Sequence, residues 1–356
     1  MRDTTTAEPC DAKRRSFLKL CGLLSAGAVA GSAAGLLPAN RAEALLFGKQ
    51  EYKVSDNRLS MGSFLSITVF HPSRDQAQNA LGLAWAEVDR LCKIFSRHDS
   101  GTAVAELNRT GVLRQAPPEL LEVVNRSLFH HRLTNGAFDI TVEPVCQLFQ
   151  KIPAAGHPPA EAEILALLSR VGSEHLRVKG SAISFAKEGM GITLDGIAPG
   201  YICDRASALL TKLGVTNHLL NASGDIRVSG AADKGAPWTV AIKNPNHSDH
   251  YPDIVSLRSG AIGTSGGYEI FYDKEMIYHH IITPQTGHSP LFSTSTTATA
   301  ARLVDADALS TGLMVMRPED GLRLVSTLPE SQCLLISRNQ GRLSKSAGWS
   351  ALSSLA

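Results

Sequence analysis

The sequence predicts a mixed α+β fold, because helical and strand-like segments intermingle without the strict alternation of a doubly wound parallel sheet. Several absences support that reading. No Gly-x-Gly-x-x-Gly follows a strand-like run, so the dinucleotide-binding βαβ fingerprint is missing. There is no Walker loop, no internal repeat and no low-complexity linker.

In chain order, the first segment reads as an export signal. A polar, basic stretch carries Lys13-Arg14-Arg15-Ser16-Phe17-Leu18-Lys19, and a mildly apolar run rich in Gly, Ala and Ser extends from Leu20 to Leu37. Ala42-Glu43-Ala44 then supplies the small-x-small pattern cut by signal peptidases. Paired arginines before Ser-Phe-Leu-Lys resemble the twin-arginine consensus, which implies a periplasmic product. The rival reading, a transmembrane anchor, is weakened by the glycines of the run and the cleavage pattern after it. The chain therefore divides into a signal peptide over 1–44 and a functional part over 45–356, whose 312 residues suffice for a large core in two lobes or two domains.

Residues 59–70 alternate in strand fashion, and 73–94 switch to helical spacing with Ala77, Leu81, Ala84, Val88, Leu91 and Ile94 on one side. Further helices are expected over 117–134 and 159–171, each opened by proline, and over 203–213. The second half is richer in strands, expected at 176–185, 218–228, 237–243, 254–258, 276–283, 295–303 and 332–337. Helices near 305–316 and 318–327 interrupt them.

Charge narrows the partners. The chain has 35 basic and 33 acidic residues; the first 44 hold six and four of these, leaving 29 of each. A formally neutral functional part argues against nucleic acid or an anionic membrane as the main partner. No later stretch is long and apolar enough to insert stably in a bilayer. Cys92, Cys146, Cys203 and Cys333 are widely spread with no C-x-x-C pair, which excludes zinc and thioredoxin-like readings and leaves disulfides or buried thiols.

Several segments are rich in Gly, Asp, Thr and His: 135–144, 193–201, 221–226, 262–268, 279–287 and 305–312. This is an inventory for holding a phosphorylated ligand, since small residues let backbone N–H groups approach phosphate oxygens. Asp307 and Thr311 stand four apart and face the same way on a helix, offering hard oxygen ligands to Mg²⁺. The alternative is that Asp307 caps a helix and Thr311 bonds back to a carbonyl.

Together these segments resemble the FAD:protein FMN transferase (ApbE) family. The matches run in family order: Met61-Gly62-Ser63; Phe95-Ser96 with Glu106-Leu107-Asn108; Gly136 to Val142; Gly196-Ile197-Ala198 with Gly200-Tyr201 and Asp204; Ser223-Gly224-Asp225; Thr264-Ser265-Gly266; His280-Ile281-Ile282 with Pro284 and Thr286-Gly287; and Ala306 to Leu309 with Thr311. The resemblance implies a two-lobed ApbE-like flavin transferase fold with FAD between the lobes. It also implies a reaction: FMN moves from FAD to a threonine hydroxyl of a periplasmic or membrane redox protein, and AMP is released. Some members hydrolyse FAD to FMN and AMP instead, and a non-catalytic flavin-binding or assembly protein is a third reading.

By the same resemblance Asp307, Thr311 and the carbonyl of Gly196 would hold Mg²⁺, and His280 would be the base. Met61, Ala137, Phe138, Asp139 and Ile282 would line the FAD site. His98 falls where the family has an aromatic residue that could stack on a flavin or adenine ring. The segment 193–200 departs from the family's Asp-Leu-Gly-Gly-Ile-Ala-Lys-Gly. Aligned without gaps, Thr193 replaces the Asp, Asp195 the first Gly and Pro199 the Lys; a two-residue deletion would instead keep Asp195 as the acid. In either case the lysine is gone.

Overall fold

The computed structural model describes residues 51–245, 251–338 and 341–349; the segment read as a signal peptide lies outside them.

The chain starts with a hairpin. β1 (Tyr52–Ser60) and β2 (Ser63–His71) pair antiparallel around Met61-Gly62, both left-handed at φ 55° and 73°. The strand expected over 59–70 is thus broken at its third residue, because this two-residue turn needs positive φ at both positions. α1 (Arg74–Phe95) follows, opened by the Ser73 side chain accepting from Gln76 N–H at 3.4 Å, with a stripe from Ala77 to Phe95 buried. α2 (Ala103–Thr110) is capped by Thr102 and stopped by left-handed Gly111. After β3 (Val112–Leu113), α3 (Pro118–Leu133) starts on a proline whose missing N–H costs a first turn nothing. The short helices α4 (Glu143–Phe149), α5 (Ile152–Ala155) and α6 (Glu161–Leu168) then lead to the hairpin β4 (Leu176–Lys179) and β5 (Ala182–Phe185).

α7 (Ala198–Lys212) begins five residues before its expected start, since Pro199 sits in its first turn. β6 (Asn217–Ala222) and β7 (Asp225–Ser229) form a hairpin around Ser223-Gly224, and β8 (Trp238–Ile242) pairs with β9 (Asp253–Leu257). β10 (Gly260–Gly266), a strand the glycine-rich sequence hid, precedes β11 (Ser293–Ala300). The strand expected over 276–283 does not form; residues 267–292 are a long loop with one isolated bridge, Phe271 to His279. α8 (Leu303–Val315), α9 (Pro318–Ser326), β12 (Gln332–Ser337) and β13 (Leu343–Lys345) complete the described chain.

The central layer is an eight-stranded antiparallel sheet in the order β1-β2-β6-β7-β10-β11-β12-β13. Its inner strands bury both faces, and alternation sorts the side chains. Leu65, Ile67, Leu220 and Ala261 join the main core with Trp85 of α1 and Tyr201 of α7. Ile226, Val228, Ile262, Leu334 and Ile336 form a second core with Trp238, Val240 and Val255 of the β8–β9 hairpin. On β12 the intervening Cys333 and Leu335 pack instead with Val325 of α9. Each fully buried Leu or Ile contributes roughly 1.5–3 kcal/mol. All four cysteines of the described residues are free thiols, and all but half-buried Cys92 are buried. Among the described residues no helix is long and apolar enough to cross a membrane.

Candidate active site

The candidate residues gather where two helices meet one end of the sheet. Strand pairing brings the Met61-Gly62 and Ser223-Gly224 turns side by side: the Ser223 hydroxyl donates to the Phe64 carbonyl at 3.1 Å and also meets the Ser63 hydroxyl. Asp225, just after the second turn, accepts from Thr264 N–H of β10 at 3.0 Å.

α8 lies between α7 and β10, and two glycines permit the approach. A Cβ at Gly200 would stand 2.6 Å from the Leu303 carbonyl oxygen, and one at Gly263 2.4 Å from the carbonyl carbon of Ala306. Neither helix has its own side-chain N-cap; each is capped by a carboxylate from the other. Asp204 of α7 accepts from the Leu303 and Val304 N–H groups at 3.0 Å each, and Asp307 of α8 accepts from Gly200 N–H at 2.9 Å. The capping alternative for Asp307 is therefore realised, but on the neighbouring helix and through one oxygen only. The Thr311 hydroxyl meets Ser265 Oγ at 3.1 Å, and Ser265 also meets Ser310 at 2.8 Å. A Cβ at Gly196 would lie 2.8 Å from Thr311 Oγ1, which sets the backbone of the 193–197 loop against that hydroxyl.

Electrostatics test whether a cation suits this corner. Burial pushes Asp307 well above the usual carboxylate range, and the Asp225 carboxylate pushes it further. Burial lifts Asp225 itself to about 7. Two carboxylates that resist ionising together, beside the Thr311 hydroxyl, form a hard-oxygen donor set that a Mg²⁺ ion would relieve. Among the described residues no group of three or more His, Cys, Asp or Glu is placed to hold a metal, so further ligands would be substrate or water oxygens.

Facing this corner is a wall of loops. Asn108 of α2 clamps the strand-like 190–194 segment, donating to the Ile192 carbonyl at 2.9 Å and accepting from its N–H at 2.8 Å. Thr193 N–H donates to the Ile140 carbonyl at 2.8 Å. Asp195 is mostly exposed and grips Arg97, whose Nη2 and Nε lie 2.8 and 3.2 Å from its Oδ2. Arg97 Nη1 reaches buried Glu143 at 3.1 Å, and Gln147 steadies Glu143 with a 2.9 Å donation. His280 stands on the long loop with its Nδ1 buried and without a hydrogen-bond partner. Burial holds its pKa below the ordinary histidine value, while the Asp195 charge acts the other way, so at neutral pH the ring is uncharged and able to take a proton. Adjacent His279 is committed to structure: its Nδ1 accepts from Ile281 N–H at 3.3 Å and its Nε2 donates to the Pro290 carbonyl at 3.3 Å.

The other sequence candidates divide by environment. Met61 is half-buried at its turn against the main core, and His98 is exposed beside Arg97. Ala137, Phe138 and Ile282 are buried, Phe138 in the main core and Ile282 against Phe149 and Ile164. The Asp139 carboxylate is engaged by the Thr141 and Ser173 N–H and hydroxyl groups, and by His131 at 3.2 Å. Pro199 lies in the first turn of α7, where its ring is tolerated. Arg97 and Glu143 escaped the sequence reading because each finds its partner tens of residues away. A groove of about 370 Å³ lined by Glu122, Arg126, Phe129, Tyr201 and Arg302 contains none of the candidate residues.

Comparison with known proteins places the chain among related sequences and structures. The profile of the ApbE family matches residues 61–335. The FAD:protein FMN transferase of Vibrio cholerae is 29% identical over 267 residues, covering 72% of this chain and 80% of that protein. The FAD:protein FMN transferase of Klebsiella pneumoniae is 28% identical over 295 residues, covering 79% and 84%. Among solved structures, the ApbE protein of Thermotoga maritima superposes with a TM-score of 0.76 at 26% identity, over 85% of this chain and 99% of that one.

Proposed function

This chain belongs to the ApbE family, and on that premise we propose that it moves FMN from FAD to a threonine hydroxyl of an acceptor protein, releasing AMP. The observation that carries the reading is the meeting of Asp307, Thr311 and the Gly196 backbone in one oxygen-rich corner, with His280, whose Nδ1 has no hydrogen-bond partner, close enough to Asp195 beside that corner to feel its charge. Asp307, Thr311 and the Gly196 carbonyl would hold Mg²⁺. Bound there, it would neutralise phosphate oxygens that gain charge as the pyrophosphate opens. His280, uncharged at neutral pH, takes the proton of the attacking hydroxyl at its free Nδ1. The half-buried Met61 turn and the exposed His98 flank the corner and wall as contacts for the flavin and adenine rings.

The acceptor belongs outside the cytoplasm, as a periplasmic or membrane redox protein. Arg14-Arg15 and Ala42-Glu43-Ala44 support export by the twin-arginine route. The test is incubation of residues 45–356 with FAD, Mg²⁺ and a threonine-bearing acceptor, followed by in-gel flavin fluorescence. Covalent fluorescence on the acceptor that disappears when its threonine becomes valine is the expected result. Free FMN and AMP without labelling would replace transfer by hydrolysis, and intact FAD would sink both.

A further inference from the structure

The loop wall holds an arrangement that the proposed reaction does not yet use. Arg97 has a side chain only 9% exposed, yet its two acidic partners differ sharply: Glu143 is 3% exposed and Asp195 61%. Glu143, braced by Gln147, is a fixed counterion that neutralises the guanidinium from the protein side. Asp195 takes the guanidinium's Nε and Nη2 edge from the solvent side, and little holds it there beyond this ion pair and its N–H bond to Thr193 Oγ1 at 3.3 Å. The same planar edge fits a carboxylate or a phosphate with two parallel N–H···O bonds. Asp195 directly precedes Gly196, whose backbone abuts Thr311, so the residue that occupies this edge is the chain neighbour of the corner. Asp195 and Asp307 also repel each other, so a phosphate arriving beside them gains from any exposed cation and loses from any exposed carboxylate.

We propose that Arg97 grips the pyrophosphate of the dinucleotide substrate and that Asp195 is a stand-in anion, displaced from Arg97 when the substrate enters. Glu143 makes the exchange feasible, because the guanidinium keeps a counterion while Asp195 swings into solvent. The inference rests on the FAD reading and gives the chain a cation bonded to the 193–200 segment, which lacks the lysine of the family pattern. The experiment is equilibrium binding with EDTA present, followed by flavin fluorescence for FAD and riboflavin and by competition for ADP. Asp195→Asn should tighten FAD and ADP about threefold or more by removing the competing anion. Arg97→Gln should weaken both about tenfold or more while leaving riboflavin unchanged, and Arg97→Lys should fall between. If Asp195→Asn weakens FAD, or Arg97→Gln weakens riboflavin as much as FAD, the pair is only a brace and the proposal fails. If the unaltered protein binds riboflavin but neither FAD nor ADP, the dinucleotide reading fails first and takes this one with it. Asp195→Asn changes an exposed side chain, so that arm stands even if Arg97→Gln does not fold.

Discussion

The corner formed by α7, α8 and β10 and the wall carrying Arg97, Asp195, Glu143 and His280 are two halves of one candidate site built on opposite principles. The corner is held by backbone: glycines admit a helix to van der Waals contact with a strand and another helix, and two carboxylates each cap the neighbouring helix. The wall is held by side chains reaching across long sequence gaps, 98 residues from Arg97 to Asp195 and 84 from Asn108 to Ile192. Backbone contacts tolerate almost no change, whereas an ion pair on a loop can exchange partners. The corner thus suits fixed coordination, and the wall suits admission and orientation.

The harshest way to break this contrast is Asp307→Ala. It removes the proposed carboxylate ligand of the corner and the α7 cap together. Transfer should fall by at least about a hundredfold, and the melting temperature should drop as well, since losing a cap costs about 1 kcal/mol. Full turnover by that variant would dissolve the corner as a metal site. Next comes Gly263→Ala, which places a Cβ against the α8 backbone with no flexible side chain able to yield. A loss of about 3 kcal/mol or more in chemical denaturation is expected, and a loss below about 1 kcal/mol would show that the corner gives way easily.

A milder probe acts on the wall through acid. Burial lowers His279 to about 4 in the folded protein, against about 6.5 when its loop is open. The open form therefore binds the extra proton, so this contribution is complete above pH 6.5 and is lost as pH falls from there towards 4. At most about 3 kcal/mol is at stake. Amide exchange, corrected for its intrinsic pH dependence, should show residues 271–289 losing protection across that window while α8 amides keep theirs. Equal loss in both would erase the distinction between corner and wall.

How much of this was legible follows the same division. Asp307 and Thr311 could be paired from sequence because a helix sets residues four apart on one face, and α8 forms where that spacing placed it. The helices at 74–95, 118–133 and 318–326 lie within a residue or two of their expected ends, since stripes and prolines are local signals. Hairpins read as single strands at 59–70, 176–185 and 218–228 show the limit of period-2 patterns, which continue across a tight turn. The 276–283 run, rich in β-branched and aromatic residues, has a strand's composition but makes only one bridge, Phe271 to His279, because composition alone does not provide a pairing partner. Nothing near Arg97 announces Glu143 or Asp195, because long-range ion pairs leave no periodic trace.

The free thiols bear on where this fold can be completed. Burial raises Cys146, Cys203 and Cys333 above the ordinary thiol range, leaving little thiolate to react at neutral pH. No cross-link contributes to the described fold, so neither an oxidant nor an isomerase is needed to reach it. The described fold can therefore assemble as readily beside glutathione as in an oxidising compartment.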